Sequence, residues 1–319
     1  MNLNFILIDK FNLKKKISQI FNIIDISVII PIFNNENYIS ECLNSVIKQS
    51  LKNIEIICID DGSTDKSLKI LKKFKNIDKR IKIILQNNKG PGIARNIGIN
   101  ASKGKYIAFL DSDDFYPNNL ILELMLKKAI QNKVIICGGG LINFVQKKNK
   151  IKLLTNNKIS FPNDYIINYF NYQYDWFFQR FIYKKIFLQK KNIYFSNYLR
   201  YQDPPFFIKA MAFAKKFYAL KNITYYYRIS NKTKITEENK IIDLYKGIKE
   251  CLDISESMKL YKLYCRVLSH INDILIINEA KKYIKNEKLK NIITKLINNI
   301  NYNIIKKENC TFIKNGIYE

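Results

Sequence analysis

Three stretches decide the reading of the fold: SVIIPIFNNENYISECLNSVIKQS (27–50), IEIICIDDGSTDKSLKIL (54–71) and GPGIARNIGINASKGKYIAFLDSDD (90–114). Residues 26–33 (ISVIIPIF) form a short β-branched apolar run, the pattern of a strand buried on both faces. Over 36–49 the period changes, with Tyr38, Ile39, Leu43, Val46 and Ile47 at helical spacing. The same unit then recurs, a strand over 54–61 closing at Gly62 and a helix over 65–75. A third strand, 80–86, leads through Gly90-Pro91-Gly92 into a helix that ends near Ala101. Gly104 introduces a fourth strand, 106–110, which runs into Asp111-Ser112-Asp113-Asp114. Pro117 reads as the first turn of the next helix, and a fifth strand spans 134–137. This alternation predicts an α/β fold with a mainly parallel sheet and helices on both faces. Ligands of such sheets bind beyond the C-terminal ends of the strands.

Beyond Gly140 the alternation weakens. Residues 147–150 read as a hairpin tip, and an aromatic-rich stretch over 165–187 surrounds Trp176. A helix is expected from Asp203-Pro204 to about 216, then an extended segment over 223–229. From Glu237 onward the chain reads as amphipathic helices rich in Lys, Ile and Asn. The expected division is a basic extension over 1–25, a main domain over 26–235 with halves at 26–118 and 140–235, and a basic helical region over 236–319. No internal repeat is visible.

The 319 residues are 47% hydrophobic, enough for a sizeable core, which excludes wholesale disorder. Lys and Arg outnumber Asp and Glu 54 to 27, so the net charge of +27 attracts anions: nucleic acid, lipid headgroups or nucleotide phosphates. Lys, Ile and Asn are also what an AT-rich genome encodes, which accounts for part of that excess. The six cysteines have no close pairing, and several sit in apolar runs, so reduced thiols are expected. His270 is the single histidine, which excludes a His/Cys zinc site; its expected place is a packed or exposed position on a helix. Residues 1–22 put the lysines after the apolar stretch, a poor secretion signal, and no run is long and apolar enough to span a membrane.

The chemistry lies at the strand ends. Asp60-Asp61, the Asp111–Asp114 cluster and Glu36 converge on one sheet edge. Such carboxylates repel one another unless a cation sits among them, and Mg²⁺ or Mn²⁺ suits oxygen ligands shared with substrate phosphates. The plainer readings are helix capping for Asp61 and turn formation for the Asp111 cluster.

The three quoted stretches, in order and at these spacings, resemble the inverting GT-A glycosyltransferases of family 2, over residues 26–118 continuously. The resemblance implies a GT-A fold, a nucleotide-sugar donor, a UDP-sugar in the first instance, and a divalent metal (Mn²⁺ or Mg²⁺) as cofactor. By position it implies that Pro31, Phe33 and Glu36 line the nucleotide end and that Asp61 contacts the base. It makes Asp111 and Asp113 the Asp-x-Asp pair, with Asp113 the better metal ligand and Ser112 between them on the donor. Arg95 and Asn96 match the family's Ala-Arg-Asn element, where Arg95 either meets the diphosphate or pairs with an acid. Position 33 departs from the family's usual Tyr.

The resemblance is weaker over 176–228. Family members carry Glu-Asp before a helix, the Asp being the base that deprotonates the acceptor; here Gln202-Asp203-Pro204 fills that slot. Asp203 therefore reads as the catalytic base, or as a helix cap with proline behind it. The aromatics around Trp176 and Tyr225–Tyr227 suit sugar stacking or core packing, and Arg228 is a candidate diphosphate contact. The implied setting is cytoplasmic synthesis of a bacterial capsule or lipooligosaccharide on a glycan or lipid-linked acceptor, with no nucleic acid as partner. The basic tail over 281–307 reads as a solvated helical face or as a contact with an anionic membrane. The rival classes are a nucleotidyltransferase, which lacks its basic loop after the first strand, and a non-enzymatic polyanion binder.

Overall fold

The computed structural model describes Leu13 and residues 23–147, 150–229, 237–271 and 273–310. Most of the expected extension over 1–25, the tip of the 147–150 hairpin and the boundary near 235 lie outside the described residues.

Four parallel strands open the sheet: β1 (Ile26–Ile32), β2 (Ile54–Asp60), β3 (Ile81–Leu85) and β4 (Tyr106–Phe109). Helices α1 (Ile39–Ile47), α2 (Ser67–Ile77) and α3 (Pro91–Ala101) connect them. Every residue of β1 and β2 is buried, as their unbroken apolar runs require of strands covered on both faces. Ile29, Ile57 and Ile59 enter one core cluster, while Val28, Ile30 and Ile56 enter the other.

The second half is mixed. After α4 (Ile121–Gln131) come β5 (Ile136–Lys147) and β6 (Lys150–Ile159), an antiparallel hairpin, then β7 (Tyr165–Asn168) and the short α5 (Tyr169–Tyr172). β8 (Phe181–Lys184) is antiparallel to both β4 and β5 and joins the two halves, ahead of α6 (Lys185–Lys190). The strand order is β3-β2-β1-β4-β8-β5-β9-β7, with β9 (Lys216–Arg228) reached through α7 (Asp203–Ala214) and β6 paired on β5. The helices α8 (Glu238–Ser257), α9 (Tyr261–Ile271), α10 (Ile274–Lys281), α11 (Glu287–Asn298) and α12 (Tyr302–Lys307) follow. Residues of α8 and α9 share one buried cluster with Phe109 of β4 and Phe206 of α7, so these helices have no separate core.

Several expectations are corrected. Pro117 lies outside a helix; α4 starts at Ile121, because Gln49 Nε2 and the Ser50 amide bind the carbonyls of Asn118 and Asn119 and hold that turn to the end of α1. The fifth strand runs to Lys147 because β6 and β9 both pair with it. Cys265 and Cys310 are joined as a disulfide, with Cα atoms 5.9 Å apart, where reduced thiols were expected. Their 45-residue separation hid the pair, which the return of the chain after α12 brings back onto α9. Cys42, Cys58, Cys137 and Cys251 are free and buried.

Candidate active site

Two cavities meet at the C-terminal ends of the parallel strands. The first, about 380 Å³, lies over β1, β2 and β4 and is lined by Pro31, Phe33, Asp61, Arg95, Asp111 and Asp113, with Ser112 among them. The second, about 740 Å³, is lined by Trp176, Tyr201, Asp203, His270 and residues of α10. Pro91, Leu199 and Tyr227 line both and form their common wall.

Each acid of the first cleft has a different fate. Asp61 is buried; its carboxylate accepts the amides of Lys89 (2.8 Å) and Gly90 (2.9 Å) and the side chain of Gln86. It thus folds the loop before α3 against the cleft and does not cap α2. Asp65 accepts the Ser67 amide at that helix start and, with its other oxygen, the Glu36 amide from the loop after β1. Glu36 accepts the amide of Lys66 at 2.8 Å and is not among the cleft-lining residues. Asp111 is engaged on both oxygens, by Arg95 Nη2 at 2.6 Å and Gln179 Nε2 at 2.9 Å. Asp114 is fully buried and accepts the Tyr225 hydroxyl (2.7 Å) and the Arg228 amide (2.7 Å), a structural role. Asp113 is left: among the described residues no other is seen donating to its carboxylate, which lines the cleft. Burial first, and the nearby charge of Asp111 second, push its carboxyl up to about 6.

Arg95 is the buried cation of this cleft, whose wall also includes Lys240. Its guanidinium lies 4.9 Å from the Phe178 ring centroid and 5.2 Å from that of Phe195, and its Nε and Nη1 are buried without partners. Asn96 exchanges two hydrogen bonds with the Phe195 backbone (2.8 and 2.9 Å), which carries the following segment toward Leu199 and the cleft. Gly92 permits the approach of that segment, since a Cβ there would lie 2.9 Å from Ser196 O and 3.0 Å from Gln202 Cγ.

Asp203 opens α7 and lines the second cavity. Gln202 occupies the cap position without a side-chain cap, and no hydrogen bond from another side chain to Asp203 is seen among the described residues, so Asp203 is not spent on capping. Burial raises its pKa, Arg95 pulls it partly back, and Asp111 pushes it up. A carboxylate with raised basicity, open to a cavity, can accept a proton from a hydroxyl.

The structure does not bring Arg228 into either cavity. It is buried, joined to Glu41 and Gln146, donates through Nε to the Asp113 carbonyl, and lies 4.5 Å from the ring centroids of Tyr38 and Phe144. Of the three tyrosines, Tyr225 supports the acidic turn, Tyr226 packs on Phe115, and Tyr227 alone faces the cavities. Sequence reasoning missed Gln179, which no motif marks although it falls in the aromatic stretch. It expected of His270 only a packed or exposed helical position and no part in a site, whereas the ring packs and also lines the second cavity.

Asp111 and Asp113 fit a metal of the Mg²⁺ or Mn²⁺ type: hard oxygens facing a cleft, with the Asp113 carboxyl raised by burial and by the neighbouring charge of Asp111. Among the described residues no group of three or more His, Cys, Asp or Glu could hold an ion. A bound ion would therefore share its coordination with water and substrate oxygens.

The sheet order and the cleft at its strand ends define an α/β fold of the GT-A type with C-terminal helices. TarS residues 1–349 of S. aureus, solved with UDP-GlcNAc, superposes with a TM-score of 0.68 over 88% of this chain and 83% of that one, at 22% identity. The family model for glycosyl transferase family 2 matches residues 27–188, just over half of the chain, and the chain belongs to that family. A Haemophilus influenzae glycosyltransferase is 44% identical over 134 residues, 42% of this chain and 53% of that protein. EpsJ of Bacillus subtilis, a glycosyltransferase by name, is 31% identical over 66% of this chain and 63% of its own length. GlyG of Streptococcus pneumoniae, likewise, is 33% identical over 64% and 70%. The chain thus spans between half and two thirds of the first two of these relatives.

Proposed function

We propose that this chain is an inverting, metal-dependent glycosyltransferase that moves a sugar from a nucleoside diphosphate to a glycan or lipid-linked acceptor. The observation that carries the reading is the junction of two cavities on Tyr227, with Asp113 and Arg95 on one side and Asp203 on the other. In the first cleft Pro31, Phe33 and Asp61 hold the nucleoside, and the charge of Arg95, which lines the cleft, faces the diphosphate. Asp113, with Asp111, holds Mn²⁺ or Mg²⁺, which when bound offsets the charge of the departing diphosphate. Asp203 accepts the proton of the acceptor hydroxyl, which attacks the anomeric carbon from the face opposite the diphosphate in a single displacement. Tyr227 presents aromatic surface at the junction, and Trp176 does so within the second cavity.

Because TarS was solved with UDP-GlcNAc, UDP is the first nucleotide to test. Among the described residues no helix is long and apolar enough to cross a membrane. We place the chain at the inner face of a bacterial membrane, in surface-polysaccharide synthesis. Exposed Ile284, Ile297 and Tyr302 lie among the lysines of the C-terminal helices, a surface suited to anionic headgroups. A thermal-shift screen of nucleoside diphosphates with Mn²⁺ or chelator, on wild type and Asp113→Ala, tests the assignment. Metal-dependent stabilisation by one nucleotide, absent in the variant, supports it. No stabilisation by any nucleotide in the presence of metal refutes it, and salt-sensitive polyanion binding indifferent to Asp113 would put the rival in its place.

A further inference from the structure

We propose that the C-terminal helices aim the base: Tyr201, held between His270 of α9 and Gly247 of α8, is a positioning residue that fixes the direction of the Asp203 carboxylate. The proposal rests on the reading of Asp203 as the base.

Tyr201 has φ +65°, in the left-handed region that a large β-substituted side chain avoids. Such a conformation persists only where its surroundings over-determine it. Three contacts do so here. The Tyr201 hydroxyl lies 2.5 Å from His270 Nδ1. Its ring stands edge-on to Trp176, with centroids 5.5 Å apart and planes at 82°. Its backbone and ring press on Gly247, where a Cβ would come within 2.7 Å of Tyr201 O and 2.8 Å of Cδ1. Glycine at 247 is therefore what lets the residue sit in this place. Asp203 follows two residues later at the first position of α7, and between them Gln202 makes no capping bond that would hold the turn instead.

The histidine is specifically oriented. The indole N–H of Trp176 can only donate, and it faces His270 Nε2 at 3.4 Å, so Nε2 is the acceptor. In the neutral ring the hydrogen then sits on Nδ1 and points at the Tyr201 oxygen. Burial, reinforced by the charge of Arg266, lowers the His270 pKa to about 4, which keeps this tautomer in place near neutral pH. His270 thus acts through Tyr201 on Asp203, and α8 and α9 contribute to the site they flank. A purely structural role would lower stability and weaken every function together.

The test measures UDP release from UDP-N-acetylglucosamine with Mn²⁺, water serving as acceptor, together with UDP affinity. An amide at the Asn position reproduces the Nδ1–H of histidine, whereas Gln reproduces Nε2. We expect His270→Ala and Gly247→Ala to lower kcat about tenfold or more, with KM for the donor and UDP affinity within about twofold of wild type. His270→Asn should recover kcat to within about threefold of wild type, and His270→Gln should not. Unchanged kcat in His270→Ala, a KM that rises in step with the loss of rate, or equal rescue by Gln and Asn each overturns the proposal. If the Ala variants fail to fold, the Asn–Gln contrast decides alone. Asp203→Asn is the control: if it keeps its rate, the base reading fails. If it loses its rate while His270→Ala and Gly247→Ala keep theirs, the positioning role fails by itself.

Discussion

The first cleft is built mostly from residues close in sequence, Pro31 to Asp113, delivered by consecutive parallel strands. The second cavity draws its wall from Pro91, Trp176, Asp203 and His270 as far as Lys282, across elements that meet only in the folded chain. A strand end can place a carboxylate at a sheet edge with local sequence alone, because the strand and its turn fix where it points. A cavity walled by helices from distant parts of the chain has no such local signature. The two sites also differ in electrostatics. The first gathers Asp61, Asp111 and Asp113 around the buried Arg95 guanidinium, with Lys240 also in its wall, while the second sets Asp203 beside the aromatic rings of Trp176, Tyr201 and Tyr227.

The largest expected effect separates the two regions by function. Asp203→Asn removes the base and should lower kcat by about 10²–10⁴-fold, measured as UDP release, with little change in thermal stability. Equal losses of rate and of nucleotide affinity would erase the distinction between the cavities.

The next effect falls where the regions join. Arg95 pairs with Asp111 in the first cleft and packs on Phe178 and Phe195 from the second half. Arg95→Leu leaves Asp111 without its cation and should cost about 3 kcal/mol in urea unfolding. A loss below about 1 kcal/mol would show that Gln179 alone satisfies Asp111.

Within the acidic cluster, neighbours should behave differently. Asp114→Ala strands the Tyr225 hydroxyl and the Arg228 amide and should destabilise by about 2 kcal/mol. Asp113→Ala, in metal-free buffer, removes a carboxylate with no such partners whose pKa burial raises, and should gain stability near neutral pH instead of losing it.

A last effect is a pH dependence beneath the second cavity. Asp175 is fully buried with both carboxylate oxygens unpartnered, facing Arg266, Asp203 and His270. Burial raises it to about 7, while Arg266 lowers it and Asp203 raises it. The folded state therefore holds this proton more tightly than the unfolded chain, and stability drains away as pH rises from about 4 to 7. His270, lowered to about 4, works in the opposite sense, adding stability as pH rises toward about 6.5. Asp175→Asn should gain stability relative to wild type over pH 4 to 7, read as a difference in Tm. A constant difference across that range would contradict the assignment.

The legibility of the sequence followed the same division. The strands and helices over 26–110 and the convergence of Asp61, Asp111 and Asp113 on one edge were readable, because periodicity and turn residues determine them locally. The fate of each acid was not. That Asp111 is tied to Arg95 and Gln179, Asp114 to Tyr225, and Glu36 to the Lys66 amide depends on side chains that meet after folding. Arg228 looked like a ligand for phosphate because its position after the tyrosines was visible and its neighbours Glu41 and Gln146 were not. The lone His270 and the Cys265–Cys310 pair carry no local signal at all, since their partners lie 69 and 45 residues away.

The division of labour between the cavities is tested most directly by calorimetric titration of UDP with Mn²⁺ into wild type, Asp113→Ala and Asp203→Asn. Asp113→Ala should weaken binding about tenfold or more, and Asp203→Asn should change it by less than about twofold. Undiminished affinity in Asp113→Ala, or an equal loss in Asp203→Asn, would contradict the assignment of nucleotide and metal to the first cleft and of the base to the second.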